Sequence, residues 1–151
     1  MNIIKASQKY LDQLISVVEE YRLFCGSSSS PDETRKFFSN LIDSEASTIF
    51  IAIDDSTDTI MGFVNLYPSY STLALKRLWI LNDLGVSTRF RGQGIAKALI
   101  EKVISFAKST DSVRIELKTN ITNDKAQSLY KDLGFEVDRD NIYYRVPILK
   151  P

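Results

Sequence analysis

Histidine is absent from this chain of 151 residues, and that one absence excludes a good deal of chemistry. Without an imidazole there is no Ser-His-Asp triad, no Cys-His pair and no histidine-bearing zinc site. Cysteine occurs once, at Cys25, which rules out an internal disulfide and a four-cysteine metal site and suits a reducing compartment. No apolar run nears the roughly 20 residues of a membrane-spanning helix. Met1 to Lys5 carries no charged-then-apolar leader pattern, so a cytoplasmic protein with no membrane partner is expected. Neither sign of charge is in excess, since 19 Lys and Arg stand against 19 Asp and Glu. With no basic field and no interleaving of aromatic and basic residues, no nucleic-acid partner is expected. No metal is expected either, and any acid–base chemistry falls to Asp, Glu, Tyr, Lys or Cys.

What is present is the ordinary mix of one globular domain spanning 1–151, with 44% hydrophobic and 25% charged residues. Residues 2–6 suit a short strand. Leu11, Leu14, Ile15, Val18 and Tyr21 recur at helical spacing and predict a helix over 10–22. After the flexible stretch Gly26–Ser30, the run Ser30-Pro31-Asp32-Glu33 has the form of an N-cap, a first-turn proline and a capping-box glutamate. The helix it opens carries Phe37, Phe38, Leu41 and Ile42. Ile49–Ile53 reads as a central strand, and Ile60–Tyr67 as its hairpin partner, stopped by Pro68. Leu73–Val86 is another strand, in which Asn82-Asp83 breaks the apolar pattern and suggests a bulge. Ile95, Leu99, Val103, Ile104 and Ala107 share one face of a further helix. Val113–Lys118 alternates as a strand, Asn123–Asp132 is a helix ended by Gly134, and Phe135–Val137 and Tyr143–Val146 are expected as two last strands around the turn Asp138–Asn141. The order βααβββαβαββ predicts an α/β (α+β) domain built on a central sheet.

The stretch Arg89-Phe90-Arg91-Gly92-Gln93-Gly94 joins a strand to a helix. Glycines spaced Gly-x-Gly let backbone approach a ligand. The helix start beyond them offers unpartnered N–H groups and a positive dipole end. That combination suits a pyrophosphate, and Arg89, Arg91 and Lys97 add positive charge. The P-loop pattern is absent, and Lys97 stands where a dinucleotide fingerprint needs its third glycine. Taken alone, the loop serves equally well as a plain strand-to-helix turn.

Two motifs extend this reading. Leu84-Gly85-Val86 followed by Arg89-x-x-Gly92-x-Gly94-Ile95-Ala96, and later Asn123-x-x-Ala126-x-x-Leu129-Tyr130-x-x-x-Gly134-Phe135, resemble in order and spacing the motifs of the GNAT superfamily of acyl-CoA-dependent N-acyltransferases. Leu66–Ser71, Leu78–Leu84 and Tyr21-Arg22-x-Phe24 are similar to the branch that includes histone- and polyamine-acetylating enzymes. Two positions depart from it. Thr88 stands where many relatives carry proline, and Gly85 replaces a frequent aromatic residue, a change expected to widen the site near the reacting centre.

The resemblance implies a mixed, mostly antiparallel sheet of about seven strands flanked by about four helices. It implies acetyl-CoA (coenzyme A) as cofactor, lying along the strand that ends at Val86. Main-chain groups of Leu84 and Val86, around Gly85, would bond the acyl carbonyl and the pantetheine arm. N–H groups from Arg91 through Gly92, Gln93, Gly94 and Ile95 to Ala96 would hold the pyrophosphate, with Arg89 beside them. Asn123 would contact the pantetheine or hold the second strand edge. The reaction implied is direct attack of a primary amine on the thioester in a ternary complex. About one lysine-like amine in two thousand is neutral at pH 7, so a proton must be removed. Asp83 is the first candidate for the base, with stabilisation of the bulge as its alternative role; Glu116 looks more like a solvated strand face. The Leu84 N–H is the oxyanion donor by resemblance, and Tyr130 the acid for the leaving thiolate. Tyr21, Phe24, Tyr67, Tyr70, Asn82, Asp83 and Trp79 are candidates to line an acceptor pocket for a small-molecule or peptide amine. A homodimer is expected by resemblance. The competing reading is a sensor that binds acyl-CoA without turnover.

Overall fold

Ile49, Ile51 and Ile53 alternate with Phe50 and Ala52 along β2 (Thr48–Asp54), and every one of them is buried. A strand that is apolar on both faces needs cover on both. One face packs on α1 (Leu11–Phe24) and α2 (Pro31–Ser44), where the three isoleucines join Leu14, Ile15, Val18 and Phe38. On the other face the Phe50 ring meets Phe106 of α3 (Ile95–Ser109) at 5.2 Å. Leu99, Ile100 and Val103 of α3 are wholly buried, as their helical spacing requires.

The structure, a computed structural model, describes residues 1–149. The remaining elements are β1 (Asn2–Lys5), β3 (Thr59–Ser71), β4 (Lys76–Val86), β5 (Ile115–Leu117) and α4 (Asp124–Asp132), with short 3-10 turns at Gln8–Tyr10 and Thr88–Phe90. The sheet has the order β1-β2-β3-β4-β5 and is antiparallel except between β4 and β5. Residues Met1–Lys118, which hold this sheet, form one compact unit; a second begins at Thr119 and contains α4. Among the described residues no helix is long and apolar enough to cross a membrane.

Among the described residues the fold is thus mixed α+β and mostly antiparallel with four helices, but its sheet has five strands rather than about seven. Phe135–Val137 and Tyr143–Val146 take no strand conformation, although the turn between them forms: Asp138 Oδ1 accepts the N–H groups of Asp140 (2.9 Å) and Asn141 (3.2 Å). Two short strands joined by a turn make too few ladder bonds to persist as an isolated hairpin. Pro68 does not end its strand either. β2 pairs with β3 only as far as Leu66, so from there on β3 has β4 as its sole neighbour among the described residues, and the missing Pro68 N–H costs no ladder bond on the open side.

The expected bulge is present. Asn65 pairs with Asp83 but Leu66 pairs with Leu81, which leaves Asn82 as the extra residue of β4. Because Leu99 sits at the centre of the α3 face, Leu99→Ala is expected to lower unfolding stability by about 2–5 kcal/mol in urea titrations, with the native circular dichroism spectrum retained.

Candidate active site

The Asn82 bulge divides β4 into two halves with different neighbours. The first half pairs with β5 over Trp79–Leu81; beyond it, Asn82–Val86 has β3 on one side and no strand on the other among the described residues. Ser87 N–H donates to Met61 O at 2.9 Å. Antiparallel ladder bonds recur at every second residue, so the main chain of Gly85 and Asp83 also faces β3, while that of Leu84 and Val86 faces the open side. Val86 O there accepts from Arg91 Nε at 3.4 Å.

The loop that follows is built for close approach. Gly92 and Gly94 have φ of 75° and 77°, a left-handed conformation that glycine adopts without strain. Gly94 precedes α3, no side chain caps the helix, and its first turn carries no acidic residue. The first N–H groups of α3 therefore lack helical partners and point at the loop. Ile95 is buried and anchors the helix start, while Arg89, Arg91 and Gln93 are exposed and Ala96 is half-buried. The Arg91 guanidinium lies 5.1 Å over the ring of Phe24, so this exposed aromatic braces the loop rather than lining a pocket.

Glu20 of α1 ties the loop down. Its carboxylate accepts from Ser87 Oγ (3.1 Å), Thr88 N (2.9 Å) and Thr88 Oγ1 (3.1 Å). Burial raises its pKa, but the hydrogen bonds from Thr88 and Ser87, with the nearby Arg91 charge, outweigh it and hold the group below its ordinary value. This accounts for Thr88 at a position where proline is frequent, since proline has no N–H to donate.

Beside the bulge lies a cavity of about 360 Å³ between α1, the first turns of α2, β3 and β4. Tyr21, Phe37, Phe38, Phe63 and Tyr67 give it aromatic walls, and Arg22, Glu33, Thr34, Asn82 and Asp83 are its polar lining. Asp83 Oδ2 accepts from Asn65 Nδ2 at 3.1 Å and from Asn82 Nδ2 at 3.0 Å. Asn65 is fully buried and its Oδ1 has no hydrogen-bond partner. Burial pushes the Tyr21 phenol up, and the Asp83 carboxylate and Cys25 thiol beside it push further; burial also raises Tyr67, against the Asn65 amide. Both phenols stay protonated at neutral pH.

A second network shapes the wall between α1 and α2. Glu19 accepts from Thr34 Oγ1, Ser30 N (2.8 Å), Ser29 Oγ (3.0 Å) and Arg22 Nη1 (2.9 Å). The Thr34 hydroxyl leads these in lowering its carboxyl to about 2, against the effect of burial. The expected capping box does not form: Ser30 makes no side-chain cap bond, and its N–H goes to Glu19 instead of Glu33.

Gly85 does not widen the site. A Cβ there would meet Phe63 Cε1 at 2.8 Å and Tyr21 Cβ at 3.1 Å, so the space an aromatic side chain would occupy is filled by α1 and β3. Of the candidate pocket residues, Tyr21, Tyr67, Asn82 and Asp83 come together. Tyr70 lies exposed further along β3, bonded through its hydroxyl to Arg77 Nη2 at 3.3 Å. Trp79 is core: it is buried, with Nε1 donating to Thr110 Oγ1 at 2.9 Å. Glu116 is exposed and paired with Arg114 Nε at 2.6 Å. In the second unit, Asn123 caps α4 by accepting the Ala126 N–H at 3.2 Å, and Tyr130 is half-buried with its ring 5.7 Å from Phe135. Burial raises the Tyr130 phenol. Asn65, Glu19 and Glu20 were not singled out from sequence. A polar residue inside the apolar run Gly62–Leu66 marks Asn65 by the same signal that marks Asp83; the two glutamates, on a helix, carry no such signal. Among the described residues no group of acidic or cysteine side chains could hold a metal.

Glu19 is depressed in the folded state, so its contribution is complete above the ordinary value of 4.5 and is lost as pH falls from there toward 2. Wild type is expected to lose more thermal stability between pH 5 and pH 2.5 than Glu19→Gln, which starts about 1–3 kcal/mol lower at pH 7. Thermal melts across that range check this.

Comparison with known proteins agrees with this geometry. The chain matches the Acetyltransferase (GNAT) family over residues 14–135. It is 30% identical over 144 residues to an uncharacterised N-acetyltransferase of Bacillus subtilis, covering 95% of each chain. It is 35% identical over 140 residues to a probable acetyltransferase of Haemophilus influenzae, covering 91% of this chain and 92% of that one. A crystal structure of a probable acetyltransferase, 37% identical, superposes with a TM-score of 0.96 over the whole of both chains. The open half of β4, the glycine loop and these relatives lead to one conclusion: the chain belongs to the GNAT family and is an N-acetyltransferase.

Proposed function

We propose that this chain, as one domain, transfers an acetyl group from acetyl-CoA to a primary amine by direct attack in a ternary complex. The observation that carries the reading is the parting of β4 from β5 at Asn82, which leaves Leu84 and Val86 main-chain groups open beside a cavity that contains Asp83. Main-chain groups of Leu84 and Val86 on that open edge would hold the pantetheine arm. N–H groups between Arg91 and Ala96 would hold the pyrophosphate, with Arg89 and Arg91 supplying charge; the left-handed glycines and the uncapped start of α3 support this. Asn123 contacts the cofactor by motif resemblance.

The acceptor enters as an ammonium and gives its proton to Asp83, directly or through a water. The neutral nitrogen attacks the thioester carbon, and the Leu84 N–H donates to the oxyanion that forms. As the C–N bond is completed and the C–S bond breaks, Tyr130, the acid assigned by the second motif, would give its proton to the leaving thiolate, and the second proton of the nitrogen would return through water to the Tyr130 phenolate. A phenol raised by burial remains protonated until it is needed. Homodimeric association and a cytoplasmic setting belong to the same proposal and rest on the resemblance and on the single cysteine.

Coenzyme A release from acetyl-CoA, followed with polyamines, amino acids, aminoglycosides and lysine peptides, tests the reaction. Tyr130→Phe is expected to lower kcat by about 100-fold with acetyl-CoA affinity retained by calorimetry, and Asp83→Asn to lower kcat/KM by a similar factor. Equal turnover by Tyr130→Phe removes Tyr130 from the chemistry, and no transfer to any amine removes the reaction.

A further inference from the structure

We infer that Asn65 is a positioning residue for acetyl transfer: its buried amide pins one oxygen of the Asp83 carboxylate and leaves the other to take the acceptor's proton. The inference rests on the reading of Asp83 as the base and adds the residue that aims it. Asn65 stands directly opposite Asp83 in the ladder between β3 and β4, at the last pair before the register shift. Its side chain is fully buried, and its Nδ2 donates to Asp83 Oδ2 at 3.1 Å. An ionised carboxylate only accepts, so the amide must turn its nitrogen to Asp83. That turn sends the Asn65 Oδ1 the other way, where it is buried and finds no partner among the described residues.

A buried acceptor without a partner is a cost to folding, and an apolar side chain of similar size would avoid it. Phe63 and Val64 before it and Leu66 after it are apolar and wholly buried, so nothing in the strand itself calls for an amide. What the amide supplies is direction. Asn82 Nδ2 donates to the same Oδ2 at 3.0 Å, but Asn82 is exposed and water competes for its amide. The Tyr21 phenol also stands beside Asp83. Its hydroxyl donates or accepts, so it adapts to the carboxylate rather than fixing it. The Asn65 amide is held by burial on the middle strand of the sheet. It is also neutral. It orients Asp83 without cancelling the negative charge that draws an ammonium into the cavity, as an arginine at this point would. With both amides on Oδ2, the Asp83 Oδ1 is the oxygen left for the acceptor nitrogen.

The test is a double-mutant cycle on kcat/KM for transfer from acetyl-CoA. Wild type, Asn65→Leu, Asp83→Asn and the double variant are each assayed with spermidine, L-lysine, kanamycin and a lysine peptide. Acetyl-CoA affinity by calorimetry is expected to be retained in all four. Asn65→Leu should lower kcat/KM about tenfold, the scale of a misaimed catalytic group. In the Asp83→Asn background the same substitution should cost less than about twofold, because the group it positions is gone. Asn65→Ala removes the amide without adding apolar bulk beside the carboxylate; it goes through the same cycle with the same expected pattern, and it carries the test if Asn65→Leu does not fold. An equal loss in both backgrounds gives Asn65 a purely structural role and overturns the inference. Unchanged transfer by the Asn65 variants while Asp83→Asn is impaired also overturns it, and in both cases the acetyl-transfer reading stands. Full turnover by Asp83→Asn overturns Asp83 as the base and this inference with it. No transfer by wild type to any of the four amines overturns acetyl transfer itself.

Discussion

The arrangement of this protein depends on one extra residue. Asn82 has no opposite number on β3, and from that point β4 keeps its antiparallel neighbour while its parallel partner ends. At the bulge the outward main chain of Leu84 and Val86 has no strand partner among the described residues, with Val86 O held by Arg91 Nε, and Asp83 lines a cavity. The open edge and the candidate base therefore lie together at a single register shift. Buried beneath them, Asn65 supplies the amide that steadies the Asp83 carboxylate.

The helix α1 holds the two sides of this arrangement through consecutive residues. Glu19, Glu20 and Tyr21 point in directions about 100° apart, as successive positions on a 3.6-residue helix must. Glu19 gathers the loop into α2 and so builds the far wall of the cavity. Glu20 fastens Ser87 and Thr88 at the entrance to the glycine loop. Tyr21 packs on Gly85 and Phe63 and sets its phenol near Asp83. Both glutamates are acceptors of several hydrogen bonds, the arrangement that lowers a carboxyl pKa, and both remain charged across the neutral range.

The departures from the expected pattern share a cause, which is competition between a local preference and a distant partner. The capping box at Ser30 and Glu33 is a sound local motif, yet Glu19 offers the same N–H a buried, multiply bonded carboxylate. Gly85 suggested empty space, because a glycine has no side chain; packing filled that space from α1 and β3. Phe24, Tyr70 and Trp79 are aromatic residues near site motifs in sequence, but sequence proximity says nothing of side-chain direction across a bulged strand. Phe24 went to Arg91, Tyr70 to Arg77 and Trp79 to the core against Phe106. The late hairpin forms its turn at Asp138, but its two short segments take no strand conformation.

By itself the sequence determined the elements whose signals are local and periodic: the helical faces of α1, α2 and α3, the apolar run of β2, the glycine loop, and the polar interruption at Asn82-Asp83. It also determined, through two spaced motifs, the family to which the chain belongs. Those features need only neighbours within a turn or a strand, so a single chain read in order contains them. Only the tertiary structure decided that Asp83 joins Asn65 and Asn82, that Glu20 clasps Thr88, and that Glu33 stands apart from its helix cap beside a cavity. Each of these joins groups far apart in the chain, and such pairings are set by how helices and sheet bury their apolar faces together, which no local pattern records.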